Sequence, residues 1–567
     1  MPRARFRLSA LLIAAALTGA PAGAQVGPNG IDQAGAYLAA RQAAADKDFA
    51  AAAAWHDRAL LADPGNPVLL EGAVTAHLAL GELGAAAKAG QKLLDGGKPN
   101  QIAWLAVLAE RVQAGDFAAV LQGQKEGQSI GALVDRLIEA WAEVGTGKMS
   151  DALADFDAIM AEPGTGAFGL YHKALALAAS GDFEGADALL SSPEAAGVMS
   201  LRRAVLAHAQ ILSQLERNAD AVALIDRTAG PRPDATATDL RRRLAAGEPV
   251  PFTAARSAVD GMAEVFFTLA TALNTEADQT YVLLYARTAL ALRPDHVDAA
   301  LMSAGILESL NQFSLASAVF AQVPDSDPAA LAARIGQADA AIRLGQVDEA
   351  VSLLQDLAAR HPEAIEVHTA LGDALRRQER CDLAIAAYST AIALVPEPQA
   401  GHWPLFYKRA GCHVRLDQWD KAEEDFSFGL TLAPDEPRLL NELGYTWVDR
   451  GENLEKALEM IQRAVAKAPD TGYIVDSLAW AYYRLGRFEE AVAPQEKAAL
   501  LMPLDPIITD HLGDIYWMVG RKREAMFQWR RALSFEPEEK DKARILRKLD
   551  VGLDTVLEEE SRATDGN

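Results

Sequence analysis

The sequence predicts an all-α chain, an α-solenoid in which about 14 helix-turn-helix repeats wind into a right-handed superhelix. Three observations predict it. Eight prolines, Pro294, Pro328, Pro362, Pro396, Pro434, Pro469, Pro503 and Pro537, are separated by 34, 34, 34, 38, 35, 34 and 34 residues. Counting 24 residues back from each, with one inserted residue after Gly444, finds Ala270, Ala304, Ala338, Gly372, Ala410, Gly444, Ala479 and Gly513. A second small position follows twelve residues later, at Ala316, Ala350, Ala384, Ala422, Ala457, Ala491 and Ala525, with Val282 the exception. Alanine is abundant while β-branched and aromatic residues are sparse, which favours closely packed helices over sheets.

Each position has a mechanical role. The small residues let the two helices of a unit approach closely. A large side chain before the proline, as at Phe320, Leu354, Tyr388, Phe426, Ile461 and Trp529, fills the space beside them. Proline lacks an N–H and disfavours helix in the preceding residue, so it ends the second helix. Turns such as Leu485-Gly486-Arg487 and Val519-Gly520-Arg521 fall midway, where glycine ends the first helix. A 34-residue period with these positions is identified as the tetratricopeptide repeat, and the resemblance covers about residues 263 to 540.

Domain organisation follows from where the period holds. Eight units occupy 263–537. Weaker matches (Ala52 with Pro64, Gly81 with Ala86, Gly147 with Ala152 and Phe156, Gly181 with Ala186) predict degenerate repeats over 33–230. Between 231 and 262 the pattern fails among Pro231, Pro233, Pro249 and Pro251, which reads as an irregular joint. A charged helix over 538–560 is expected to cap the array, and 561–567 to form a disordered tail.

The N-terminus reads as an export leader over 1–24, followed by a short extension over 25–32. Arg3, Arg5 and Arg7 precede the apolar run Leu11 to Leu17, and Ala22-Gly23-Ala24 supplies a small-x-small cleavage pattern. The apolar run falls short of the roughly 20 residues a membrane span needs. No cysteine stands near the cleavage point for lipid attachment, so the expectation is a periplasmic protein with no lipid anchor. No other segment is apolar enough to span a bilayer. A net charge of −24 repels nucleic acid and anionic lipid, which argues against both as partners.

Motifs for chemistry do not appear. The ten histidines are scattered, and HExxH, paired CxxC and GxSxG are absent. Gly147-Lys148 fails as a phosphate loop because Ala142 and Met149 replace the glycine and hydroxyl residue it requires. The sequence therefore predicts no catalytic residue, no metal site, no cofactor and no enzyme activity. Its two cysteines fall where a bridge can form: Cys381 starts the second helix of one unit, and Cys412 lies late in the first helix of the next. An oxidising compartment permits that bond.

The repeat resemblance implies a concave groove lined by the first helix of each unit, with positions 5, 9, 12 and 13 projecting into it. Those positions carry Asn441, Tyr445 and Asp449, then Asp476, Trp480, Tyr483 and Arg484, then Asp510, Asp514 and Trp517. Upstream, Arg376, Arg377, Tyr407 and Arg415 occupy equivalent places. Aromatics mixed with Asp, Asn and Arg are hot-spot chemistry for a protein or peptide partner. The set does not match the Lys/Asn/Arg clamp with which some family members grip C-terminal carboxylates. The runs LGYTWVDRG (443–451), GYIVDSLAWAYYRLGRFEEA (472–491) and DHLGDIYWMVGR (510–521) resemble envelope repeat proteins of Gram-negative bacteria. Some of these are lipoprotein adaptors of carboxyl-terminal processing proteases. The resemblance implies a periplasmic scaffold or adaptor with such a protease as partner, or alternatively an organiser of envelope assembly, polysaccharide export or secretion.

Overall fold

The computed structural model describes residues 28–228 and 234–565, so the expected leader over 1–24, Pro231 and Pro233 lie outside it. Among the described residues the regular elements are all helical, and they run as antiparallel pairs. Two compact units divide after Ala340.

The first unit begins with six pairs. These are α1 (Pro28–Ala45) with α2 (Phe49–Leu60), α3 (Pro67–Leu80) with α4 (Leu83–Asp95), and α5 (Gln101–Gln113) with α6 (Phe117–Lys125). Then come α7 (Ala132–Gly145) with α8 (Met149–Met160), α9 (Gly166–Ala179) with α10 (Phe183–Leu190), and α11 (Arg202–Gln214) with α12 (Asn218–Thr228). Side chains of Asp48, Asn66, Asn100, Asp116 and Asp182 accept from backbone N–H groups of the first turn and so fix five of these starts. Gly81 ends α3 at φ 81°, a left-handed cap that glycine adopts without penalty. α1 already begins at Pro28, inside the stretch expected to be a non-repetitive extension.

The expected joint is more ordered than its prolines suggest. Ala235–Ala245 forms α13, with Asp234 capping the N–H of Ala237. The Ala-Thr-Ala-Thr run is therefore the first turn of a helix. The strap that follows is pinned to α11: Val250 N donates to Ser213 Oγ at 3.0 Å, and Gln214 Nε2 donates to Val250 O at 2.7 Å.

After the strap the chain returns on itself. α14 (Ala258–Leu273) packs against α5, α7 and α9, and α15 (Gln279–Leu292) packs against α3 and α5. This pair fills the groove of the first helices. Val282, the exception to the small-residue rule, is fully buried, as are Met262, Val265, Phe266 and Leu283. Arg287 Nε donates to the carbonyl of Ala79 at 3.1 Å and the same guanidinium caps Leu80, closing the C-terminal end of α3. Trp141 lies where a side chain at Gly261 would stand. At the centre, Tyr171 Oη donates to Glu264 Oε1 at 2.9 Å, and Arg203 Nη2 pairs with Glu264 Oε2 at 2.5 Å. Burial opposes the charge of Glu264, but Arg203 and His296 override it and hold the carboxyl well below its ordinary value. The unit continues with α16 (Val297–Ser309), α17 (Phe313–Phe320) and α18 (Ala330–Arg343).

The second unit carries α19 (Val347–Arg360), then α20 (Ile365–Arg377) with α21 (Cys381–Ala393) and α22 (Trp403–Arg415) with α23 (Trp419–Leu432). It goes on with α24 (Pro437–Arg450) and α25 (Leu454–Lys467), α26 (Gly472–Arg484) and α27 (Phe488–Leu501), and α28 (Pro506–Met518) and α29 (Lys522–Leu533). The small-large rule of the sequence has a direct geometric cause here. Side chains at Gly372 and Gly513 would occupy the rings of Tyr388 and Trp529, and one at Gly444 would stand 2.8 Å from Ile461. Tyr388, Ile461 and Trp529 are fully buried, each contributing about 2–3 kcal/mol of hydrophobic burial.

The C-terminal cap differs from the single helix expected. It is two helices, α30 (Glu539–Val551) and α31 (Leu553–Asp565), broken at Gly552, whose φ of 85° is in the left-handed region. Helix also continues through 561–565, where a disordered tail was expected.

Candidate partner-binding face

In the second unit the first helices lie side by side, α20 against α22, α24 against α26, and α26 against α28. Their exposed surface is the expected groove. Its last part is closed by the chain itself. Lys548, on α30, reaches into the α28 surface and donates to Asp510 Oδ1 at 2.6 Å and Asp514 Oδ1 at 2.5 Å. Arg544 Nη1 adds a bond to Asp514 Oδ2 at 3.1 Å, and Trp529 Nε1 donates to Asp514 Oδ1 at 2.8 Å. Asp510 and Asp514 are thus buried in ion pairs rather than presented to a partner. Burial, with Asp514 beside it, pushes the Asp510 carboxyl up to about 6, against the pull of Lys548.

Trp517 belongs to the same closure. Its ring packs under Gly552, where a Cβ would stand 2.7 Å from it, and Nε1 donates to Asp554 Oδ2 at 3.1 Å. One repeat earlier, Asp476 accepts from Gln495 Nε2 at 2.5 Å and from His511 Nδ1 at 3.0 Å, and is buried. Trp480 stacks on His511 at 4.0 Å between ring centroids and on Tyr483 at 4.6 Å, with Tyr483 itself buried. Burial disfavours a charged His511, but Asp476 and the neighbouring Asp510 and Asp514 raise its pKa above the ordinary histidine value.

The remaining expected groove residues lie on α24 and at the end of α26. Asn441 is buried and its Oδ1 has no partner. Arg484 Nη1 donates to the carbonyl of Asp449 at 2.9 Å, tying the two helix ends together. Tyr445 is half-buried and Asp449 is exposed. Burial raises the Tyr445 hydroxyl above its ordinary value, so of the ten residues expected to line an open groove Asp449 is the one whose side chain is exposed.

The open surface begins where the sequence frame did not look. Trp403, Arg438 and Tyr473 stand in the first turns of α22, α24 and α26, and cluster with Tyr407. The Arg438 guanidinium lies 4.6 Å above the Trp403 ring and 5.8 Å above Tyr407, a cation–π contact on both. Tyr473 is 39% exposed. Glu442, between them, has its carboxyl raised by burial, with a bond from Asn441 only partly offsetting the shift. The recoverable signal was an aromatic or arginine in the first turn of three consecutive first helices.

Cys381 and Cys412 meet as expected from the repeat geometry. Both thiols are buried and unbridged, with the sulfurs 2.8 Å apart. Burial and the neighbouring Cys381 push the Cys412 thiol up to about 12, while Arg376 and Arg415 pull it down. Among the described residues no cluster of three or more His, Cys, Asp or Glu is placed to hold a metal, and no helix is long and apolar enough to cross a membrane.

Comparison with known proteins places this architecture. The tetratricopeptide repeat family profile matches residues 335–397 and 449–506. The TPR repeat-containing protein PA4667 of Pseudomonas aeruginosa is 29% identical over 221 residues, 38% of this chain and 36% of that protein. The chain thus matches about a third of that relative's length. Among solved structures, the APC/C hetero-tetramer Cut9–Hcn1 is 15% identical with a TM-score of 0.39, covering 91% of this chain and 96% of that one. TTC0263, a thermophilic TPR protein of Thermus thermophilus, is 23% identical with a TM-score of 0.29, covering 33% and 100%. With its 34-residue period, its small-large helix pairing and the matched segments, the chain is a tetratricopeptide-repeat protein.

Proposed function

We propose that this protein is a periplasmic scaffold that captures a protein partner on the surface formed by α22, α24 and α26. The observation that carries the reading is the cluster in which exposed Arg438 and Tyr473 stand beside half-buried Trp403 and Tyr407. Tryptophan, tyrosine and arginine are the residues that dominate binding energy at protein interfaces. The first-helix surfaces of α3 to α9 and of α28 are occupied by α14–α15 and α30, whereas Arg438 and Tyr473 remain exposed. Periplasmic location rests on the leader-like residues from Arg3 to Ala24. A photo-crosslinking residue at position 473 should trap a partner in intact cells. Combining Arg438→Ala with Trp403→Ala should lower that capture about tenfold or more, with helicity unchanged by circular dichroism. Undiminished capture would remove the assignment of this surface.

The specific form of the proposal is an adaptor of a carboxyl-terminal processing protease, supported by the resemblance of residues 443–451, 472–491 and 510–521 to envelope adaptors. The purified protein should bind that protease from the same organism and raise its turnover of an unfolded substrate. Absence of both effects eliminates the protease while leaving the scaffold reading in place.

A further inference from the structure

The second unit carries a group of basic residues that its own acids do not neutralise. The chain has 78 acidic against 54 basic side chains, so a surface with three arginines and no ion pair runs against the charge of the whole. Arg376 and Arg377 end α20, and Arg415 ends α22 beside it. Among the described residues none of the three forms an ion pair. Asp373, whose charge attracts Arg376, already accepts from Lys408 Nζ at 2.6 Å and from Tyr388 Oη at 2.8 Å, and Tyr388 also bonds the Arg376 guanidinium. Nε of Arg376 is buried with no acceptor. A helix C-terminus attracts basic residues through its dipole, which accounts for the charge but not for a buried donor left without a partner.

A second observation lies on the same surface. Tyr407, Gly411 and Arg415 follow one another at i, i+4 and i+8 along one stripe of α22. Glycine inside a helix costs roughly 1 kcal/mol relative to alanine. At Gly372 and Gly444 the cost has a packing reason, because a side chain would collide with Tyr388 or Ile461. At Gly411 a Cβ would meet nothing within 4 Å. The bare backbone there allows close approach from outside the fold, the use to which glycine is put beside ligands. From Tyr407 to Arg415 the stripe runs about 12 Å, the span of roughly four extended residues.

Building on the proposed scaffold function, we propose that this surface receives an extended acidic segment of the partner protein. Its carboxylates pair with Arg376, Arg377 and Arg415, and its main chain passes over Gly411 toward the Trp403–Tyr407 rings. Bidentate pairing with carboxylates is the geometry guanidinium groups favour. The net charge of −24 on the whole chain opposes a densely charged polyanion such as nucleic acid more strongly than a short segment carrying a few carboxylates.

The test uses the full-length protein and labelled peptides of alternating Glu and Ala, with Gln and Lys counterparts and an oligothymidylate of similar length. The Glu peptide should bind with salt-sensitive affinity, and the others should not. Arg377→Glu with Arg415→Glu should weaken it roughly tenfold or more. Gly411→Leu should weaken it similarly while leaving the melting temperature equal or higher, since the added side chain enters open space and improves helix propensity. Equal binding of the Gln peptide or the oligonucleotide, or indifference to both variants, overturns the proposal. In cells, crosslinking from position 473 that survives the double charge reversal discards the acidic segment and keeps the scaffold surface. Absence of crosslinking in the unmodified background discards both.

Discussion

Lys548 Nζ lies 2.5 Å from Asp514 Oδ1, and both side chains are wholly buried. The lysine is 34 residues downstream of its partner, so this pair helps fasten α30 to the first helix of the last repeat. Asp510, 2.6 Å from the same ammonium, makes the site two carboxylates to one lysine, with Arg544 supplying the second positive charge.

Removing the lysine leaves two buried carboxylates facing the single charge of Arg544. Lys548→Met should destabilise the second unit by about 3–5 kcal/mol, the cost of breaking a buried pair from one side. Urea unfolding followed by tryptophan fluorescence measures it. A change under about 1 kcal/mol would mean that water reaches Asp510 and Asp514, contrary to the packing described.

The same region has a pH dependence of definite sign. The pKa of His511 is raised in the folded state, so its stabilisation is complete below the ordinary value of 6.5 and is lost as pH rises through the higher folded value. Asp510 is raised from 3.8 to about 6, so its ionisation penalty grows across that interval and persists above it. Both effects make the second unit more stable near pH 6 than near pH 8. Calorimetry at roughly these two values should show the higher melting temperature at the lower pH, with a smaller difference in His511→Gln.

The sulfurs of Cys381 and Cys412 lie 2.8 Å apart, which places a bond between α21 and α22 within reach of oxidation. Mild oxidation of the native protein should remove two hydrogens by mass, and the closed loop should add roughly 3 kcal/mol of stability. Cys412→Ser should show neither effect. Recovery of two free thiols after prolonged oxidation of the native chain would count against the bond.

Glu264 is the junction of the first unit, bonded by Tyr171 of α9, Arg203 of α11 and His296 at the N-cap of α16. Glu264→Ala should cost about 3 kcal/mol, the lower part of the range for a broken buried pair, because Asp298 still holds Arg203 at 2.9 Å. Thermal unfolding of the variant, compared with Glu264→Gln, separates loss of charge from loss of side-chain volume.

Much of the fold was legible in the sequence because a repeat writes its packing locally. The spacing of Gly372 from Tyr388, or Gly513 from Trp529, is one helix pair and nothing more. What the sequence concealed lies between distant segments. Asp510 and Asp514 sit at positions that face a groove, but whether the groove is open depends on Lys548 in a helix that the periodic pattern does not include. Val282 was the one local sign of the larger departure. A valine at a small-residue position showed that α15 meets neighbours other than those of an ordinary repeat, and its burial among the N-terminal pairs supplies them. The cluster of Trp403, Arg438 and Tyr473 was missed because the frame taken from the family weighted later positions of the first helix.

The return of α14 and α15 bears on how the chain acquires its structure. Ordinary repeat arrays behave as one-dimensional systems, each unit answering to its neighbours, and can grow from one end as they are made. Here the bond from Arg287 to Ala79 joins residues 208 apart. Six helix pairs must wait, with a trough of apolar side chains facing water, until residue 292 is available to fill it. Loop closure over that distance slows the search and binds the whole N-terminal unit into one cooperative transition. A chain stopped before α14 would present an aggregation-prone concavity rather than a shorter scaffold, and an exported chain would need a chaperone's protection until synthesis had passed that point.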